Sequence, residues 1–211
     1  MVIMEYSEFN PLHLDAIREV VNIGAGNAAT ALSEMLGKPV DMGVPNVELV
    51  SIYEISERFG PAEDLVAAIY THAEGAFPCN LIFIQDEDAA QGLVDAMFLS
   101  RMSTDGREFP PEMRDSALGE LGNIVLSSFL NAVSRMIGSD SLSISVPGVA
   151  HDMLGSILQF VASIFAQSGE LALLVNTTLQ LEQEGEDLKG NLMMVPDPGA
   201  LEILLAKLGV L

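Results

Sequence analysis

The sequence predicts an α+β fold, a pseudo-two-fold duplicated domain in which an antiparallel sheet layer packs against helices. Two observations predict it. The chain repeats itself once, and in each half amphipathic helices bracket short strand-like runs in the same order.

The repeat is legible residue by residue. Asp15, Glu19 and Asn22 recur as Ser116, Glu120 and Asn123, each 101 positions later, and the same displacement pairs Leu32 with Val133, Met35 with Met136, Leu36 with Ile137 and Gly37 with Gly138. One residue of slip aligns Val44-Pro45-Asn46-Val47 with Val146-Pro147-Gly148-Val149, and Asn80 to Asp86 is answered by Asn191 to Asp197. Four blocks in one order with a slowly growing offset indicate duplication, and two copies of roughly 100 residues make a pseudo-symmetric domain rather than a solenoid. We expect one domain over 1–211, built of repeats at about 11–100 and 111–211. The linker falls at 101–110, where Ser, Thr, Asp, Gly and Pro interrupt both periodicities.

In the first half Leu14, Ile17, Val20, Val21, Ala28, Leu32 and Leu36 recur at helical spacing. Asn10 and Pro11 are start signals, and Gly37 is placed to end the helix. Leu49 to Ile55, Leu65 to Tyr70 and Asn80 to Ile84 read as strands, and Glu87 to Phe98 as a second amphipathic helix. The second half predicts a helix from Pro111 to Ile137, strands near Leu142 to Ser145, Leu171 to Leu181 and Asn191 to Val195, and a last helix from Pro198 to Leu208. His151 to Gln167 reads as helix and has no visible counterpart in the first half. Helices on one side of a sheet shared by the halves make two layers.

With 49% hydrophobic residues the chain can bury a core. Nine Lys and Arg stand against 30 Asp and Glu, a formal charge of −21, so the long-range field repels phosphate backbones and anionic lipid heads. Nucleic acid and membrane surfaces are therefore not expected partners. The single cysteine, Cys79, lies beside the apolar run Leu81 to Phe83 and reads as buried rather than catalytic, which suits a reducing compartment. The N-terminus shows no basic segment followed by an apolar core, and the apolar stretch Ile157 to Val175 is broken by Gln159, Gln167 and Glu170. A cytoplasmic location is expected.

On a helix, Asp15, Glu19 and Asn22 project from one stripe, and Ser116, Glu120 and Asn123 build that stripe a second time. One such triplet reads first as an ordinary solvated face. Its recurrence is harder to explain that way, because exposed positions drift after duplication and Asn is a mediocre helix former. Gly24, Gly26 and Gly122 read as a bare surface that another backbone can approach, or alternatively as packing points between helices.

The Asp-x-x-x-Glu-x-x-Asn pattern, followed by Ile23-Gly24-Ala25-Gly26-Asn27-Ala28-Ala29-Thr30-Ala31, resembles the CheC branch of the CheC/CheX/FliY phosphatases. The family's pattern is Asp or Ser, three residues, Glu, two residues, Asn, and both halves match it. Val44 to Val47 and Met193 to Gly199 also resemble CheC, so the likeness extends over nearly the whole chain. The resemblance implies that this chain dephosphorylates the aspartyl phosphate of the response regulator CheY. Glu19, Asn22, Glu120 and Asn123 would be the catalytic residues, with Asp15 and Ser116 flanking them. Each Asn would hold a water in line with phosphorus, and each Glu would engage the regulator's lysine. No cofactor bound by this chain is implied, since Mg²⁺ is expected in the partner's active site. The resemblance further implies CheD as a partner, with Asp152 where its binding acid is expected; the alternative is a helix with a capping Asp.

His13, His72 and His151 have no ligand spacing, so no metal site is expected. Neither a Gly-x-Ser-x-Gly elbow nor a phosphate-binding Gly-x-x-x-x-Gly-Lys loop appears. Two other functions remain beside the phosphatase. One is a weakly active or inactive protein that sequesters CheD or the regulator, and the other is a structural subunit of the flagellar switch. Switch relatives carry extra segments, and the chain ends at Leu211 directly after its last repeat element, which argues against the second.

Overall fold

A computed structural model of the chain describes residues 8–101, 109–138, 142–165, 171–181 and 187–211. Helix α1 (Pro11–Leu36) begins where Asn10 and Pro11 place it. The Asn10 side chain accepts from the His13 N–H at 3.1 Å and the His13 ring accepts from the Asn10 N–H at 3.3 Å, a capping box with histidine as its return partner. Gly37 ends the helix with φ 65°, a left-handed conformation that costs glycine nothing. Helix α3 (Pro111–Met136) repeats α1, and Gly138, the counterpart of Gly37, adopts φ 66°.

The strands β1 (Val40–Ser51), β2 (Leu65–Gly75), β3 (Cys79–Asp86), β4 (Leu142–Ile144), β5 (Gly148–Met153), β6 (Leu171–Leu181) and β7 (Asp187–Pro196) form one sheet in the order β1-β6-β7-β3-β2-β4, with β5 also on β2. The order is a palindrome under exchange of the halves. Each half supplies a hairpin, β2-β3 or β6-β7, and the hairpins join antiparallel through β3 and β7 at the centre. The outer strands are exchanged, since β1 of the first half pairs with β6 of the second, and β4 and β5 of the second pair with β2 of the first. Ile82 lies opposite Met193, Asn80 opposite Val195 and Ile84 opposite Asn191, so Asn80 and Asn191 sit equivalently on either side of the Ile82–Met193 pair. Because each half completes the other's sheet, neither could bury its edges alone.

Both faces of the sheet are covered. Leu81 and Phe83 point into the larger core beneath α1, α3, α2 (Glu87–Arg101) and α5 (Ala200–Lys207), while Ile82 and Ile84 point into a smaller one on the other side. The expected two layers are thus joined by a third. It consists of α4 (Leu154–Phe165) and a 3-10 helix at Ile52–Arg58, which pack on each other.

Two expected elements change identity there. The strand anticipated over Leu49 to Ile55 ends at Ser51, because Ile52 and Ile55 are both buried in the smaller core. Residues three apart share a face on a 3-10 turn but point to opposite sides of a strand. The helix anticipated from His151 begins only at Leu154, where the buried series Leu154, Ile157, Leu158 and Val161 starts; His151 to Met153 are strand, paired with Ala67 to Leu65. In element order the 3-10 helix is the first-half counterpart of α4. Gln167 and most of the 101–110 linker lie outside the described residues. Pro45 sits at a register break between Gly43 and Asn46 on edge strand β1, where its missing N–H removes no ladder bond.

Candidate functional site

Ten positions of α1 face solvent, among them Asp15, Glu19 and Asn22. On α3, Ser116, Glu120 and Asn123 are exposed at the equivalent places. The long apolar stripes below them, Ile17-Val20-Val21 and Ala117-Leu118-Leu121, are buried in the larger core, which fixes the rotation of each helix and turns Glu and Asn outward. The six side chains therefore form two separate polar surfaces, one on each helix.

The surfaces are not identical. Asp15 accepts from Arg18 at 3.2 Å, both side chains being half or more exposed. Ser116 instead donates to the Glu112 carbonyl at 2.8 Å, so its hydroxyl is turned back on its own helix. The position equivalent to Arg18 is Gly119, so the second surface lacks that cation.

The glycines divide between the two roles open to them. A Cβ on Gly24 would meet the Phe129 ring at 2.5 Å, so this residue is where α1 and α3 pack closely. A Cβ on Gly122 would meet Ile69 of β2 at 2.6 Å, which seats α3 on the sheet. Gly24 and Gly122 are both buried and are not part of a bare docking surface, contrary to that expectation. Gly26 is exposed with open space around it and fits the expectation.

A cluster absent from the sequence reading lies where α2, α3 and β5 meet. His151 Nδ1 is 2.8 Å from Glu87 of α2, and Nε2 is 3.3 Å from Asp115 of α3. Arg114 binds Gln91 and, at 2.9 Å, Asp95. Glu87, Gln91, Arg114, Asp115 and His151 line a cavity of about 340 Å³ together with the apolar Ala90, Val94 and Leu118. Partial burial alone would raise the Glu87 carboxyl, yet the hydrogen bonds to His151 and Gln91 bring it below the usual carboxylate value. No sequence signal announces the cluster, because the partners come from three distant elements. The other histidines are also structural: His13 caps α1, and His72 Nδ1 lies 2.9 Å from Asn80 Oδ1. Among the described residues no group of three or more His, Cys, Asp or Glu could hold a metal ion.

Asp152 is exposed on β5, not at a helix cap; its carboxylate accepts from the Met153 N–H at 2.7 Å. Among the described residues no helix is long and apolar enough to cross a membrane.

A family model described as the CheC-like family matches residues 12–49 and 113–151, which are α1–β1 and α3–β5 in the two halves. The chain is similar to CheY-P phosphatase CheC of Bacillus subtilis (strain 168), at 34% identity over 197 residues and 93% of either protein. It is also similar to the flagellar motor switch phosphatase FliY of the same organism, at 34% identity over 143 residues, covering 68% of this chain and 34% of that protein. Among solved structures, Thermotoga maritima FliY superposes with a TM-score of 0.72 at 19% identity, covering 96% of this chain and 98% of that one.

Proposed function

The chain belongs to the CheC-like family, and from that premise we propose that it hydrolyses the aspartyl phosphate of a CheY-type response regulator in chemotaxis. The observation that carries this reading is the pair of exposed Glu/Asn surfaces at identical offsets on α1 and α3. Exposed helical side chains of this kind suit a substrate whose reactive group sits in a cleft of another protein.

Phosphoryl transfer asks for a positioned nucleophile and compensated charge more than for covalent help. Asn22 and Asn123 hold the attacking water in line with phosphorus. An amide both donates to and accepts from water, whereas a carboxylate there would set a charge against the anionic phosphoryl group being transferred. Glu19 and Glu120 engage the regulator's lysine, and Asp15 and Ser116 flank them. Mg²⁺ and that lysine belong to the partner, which is how a chain of charge −21 can act on an anion.

The proposed setting is the cytoplasm, with CheD as a second partner at Asp152; the exposure of Asp152 on β5 supports this contact. The test is phosphate release from the phosphorylated regulator by wild type, Asn22→Ala, Asn123→Ala and the double variant. The double variant is expected to lose the acceleration while keeping its fold. Wild-type rates in the double variant would overturn the assignment, and a wild type that binds the regulator without turnover would favour sequestration instead.

A further inference from the structure

Duplication makes the two long helices controls for one another. The exposed positions of α1 are Pro11, Leu12, Asp15, Arg18, Glu19, Asn22, Ile23, Gly26, Thr30 and Glu34. Their counterparts on α3 are Glu112, Met113, Ser116, Gly119, Glu120, Asn123, Ile124, Ser127, Asn131 and Arg135. Charge or size has changed at most of these pairs. Glu and Asn are kept, and so is apolar character at Leu12/Met113 and Ile23/Ile124.

Leu12, Met113 and Ile23 fill no core, and Ile124 alone also packs against the larger one. Leu12 is 59% exposed, Met113 45% and Ile23 38%, while Ile124 is half-buried. A single exposed leucine needs no explanation, but Leu12 and Met113, large apolar residues held in the open at the same place on both helices, do. Their position supplies one. At 100° per residue Leu12, Glu19 and Ile23 lie within about 40° of one another, so the acid is bracketed along one row by an apolar residue on each side. Met113, Glu120 and Ile124 repeat the row. Leu12 and Ile23 stand about 16 Å apart along the helix, which fits inside one partner's half of an ordinary protein interface.

We infer that Leu12 with Ile23, and Met113 with Ile124, are the apolar anchors by which each helix docks on the phosphorylated regulator. The inference rests on the phosphatase reading and assigns it a recognition surface. A partner that brings its phosphoaspartate to Asn22 must cover Leu12 and Ile23, since they share the row of Glu19. The long-range field of a chain of charge −21 does not draw in an acyl phosphate, so affinity has to come from contact. Apolar side chains already standing in water supply it at no cost to the fold.

Each site is tested alone. In an Asn123→Ala background, which leaves only the α1 site, Leu12→Ser is expected to raise KM for the phosphorylated regulator roughly tenfold, as loss of one buried apolar anchor does. The same rise is expected in Kd for the regulator loaded with beryllofluoride, an inert acyl-phosphate mimic. The turnover of bound substrate stays near that of the background, and Leu12→Met, the residue present at the other site, restores affinity. Met113→Ser in an Asn22→Ala background should behave likewise. Normal turnover with unchanged KM and Kd in both serine variants would overturn the anchors alone, as would a fall in kcat with affinity intact. A dimer of this chain that dissociates in the Leu12→Ser, Met113→Ser variant while KM stays unchanged would also overturn them, by assigning the surface to a second copy. A wild type with neither binding nor turnover would overturn the phosphatase reading, and the anchors with it.

Discussion

Replacing Gly122 and Gly26 separately by Ala should move stability in opposite directions, although both residues lie inside long helices beside the proposed sites. Propensity alone favours Ala over Gly in a helix by about 1 kcal/mol. At Gly26 nothing lies within 4 Å of the added Cβ, so that gain is expected in full. At Gly122 the new Cβ would stand 2.6 Å from both Cγ2 and Cδ1 of Ile69 and 3.1 Å from its Cβ. Ile69 is 2% exposed and β-branched, and its Cβ and Cγ2 cannot swing aside without moving β2. Overpacking of this kind costs about 1–3 kcal/mol, and the rigidity of the neighbour puts Gly122 in the upper part of that range. The net effect is a loss of about 1–2 kcal/mol at Gly122 against a gain of about 1 kcal/mol at Gly26. In a chain of this size each 1 kcal/mol is about 2–4 °C in Tm. Scanning calorimetry should therefore find Gly26→Ala a few degrees above wild type and Gly122→Ala several degrees below it, with urea midpoints moving in the same sense at unchanged slope. If Gly122→Ala were as stable as Gly26→Ala, the seating of α3 on β2 would be wrong. The same displacement of α3 should lower turnover at the Asn123 site, measured in an Asn22→Ala background.

Gln85 of β3 is 2% exposed, and among the described residues neither atom of its side-chain amide has a hydrogen-bond partner. Gln85→Met should stabilise the chain by about 1 kcal/mol in urea denaturation, since it removes an unpaired buried amide at similar volume, and a clear loss would reveal a partner for that amide. The Glu87 carboxyl is depressed below 4.5, so its contribution to stability is present above that value and is lost as pH falls through the lowered one. The advantage of wild type over Glu87→Gln should accordingly be level from neutral pH down to about 4.5 and shrink below it; a constant difference through the acid range would contradict the pairing with His151. Burial, and then the Asp197 carboxylate, push the Cys79 thiol up, and the side chain is fully enclosed. Ellman's reagent should label it only on unfolding, and rapid labelling of the native protein would show that β3 opens.

How much of this was legible in the sequence depends on the distance over which each feature is specified. Helix α1 was legible to the residue because its signals are local: Asn10 and Pro11 start it, Gly37 stops it, and the 3.6-residue apolar series between them fixes its buried face. The outward direction of Glu19, Asn22, Glu120 and Asn123 followed from the same series, since whatever lies opposite a buried stripe faces water. The duplication was equally plain, because it needs only comparison of the chain with itself.

What the sequence left open was decided between elements far apart in the chain. The exchange of outer strands, with β1 on β6 and β5 on β2, is a property of register and not of any one strand's pattern. The third layer depends on the 3-10 helix and α4 finding the same face of the sheet. Gly24 and Gly122 could not be told from Gly26 until Phe129 and Ile69 were seen against them, and His151 acquired its role only when α2 and α3 brought Glu87 and Asp115 to its ring. The sequence by itself determined which faces are buried and that the polar face occurs twice, because hydrophobic periodicity and capping act within a few turns of chain. Only the tertiary structure decided which glycine is a packing point, which histidine is a bridge and which half completes which sheet, because those depend on the side chain that arrives from elsewhere.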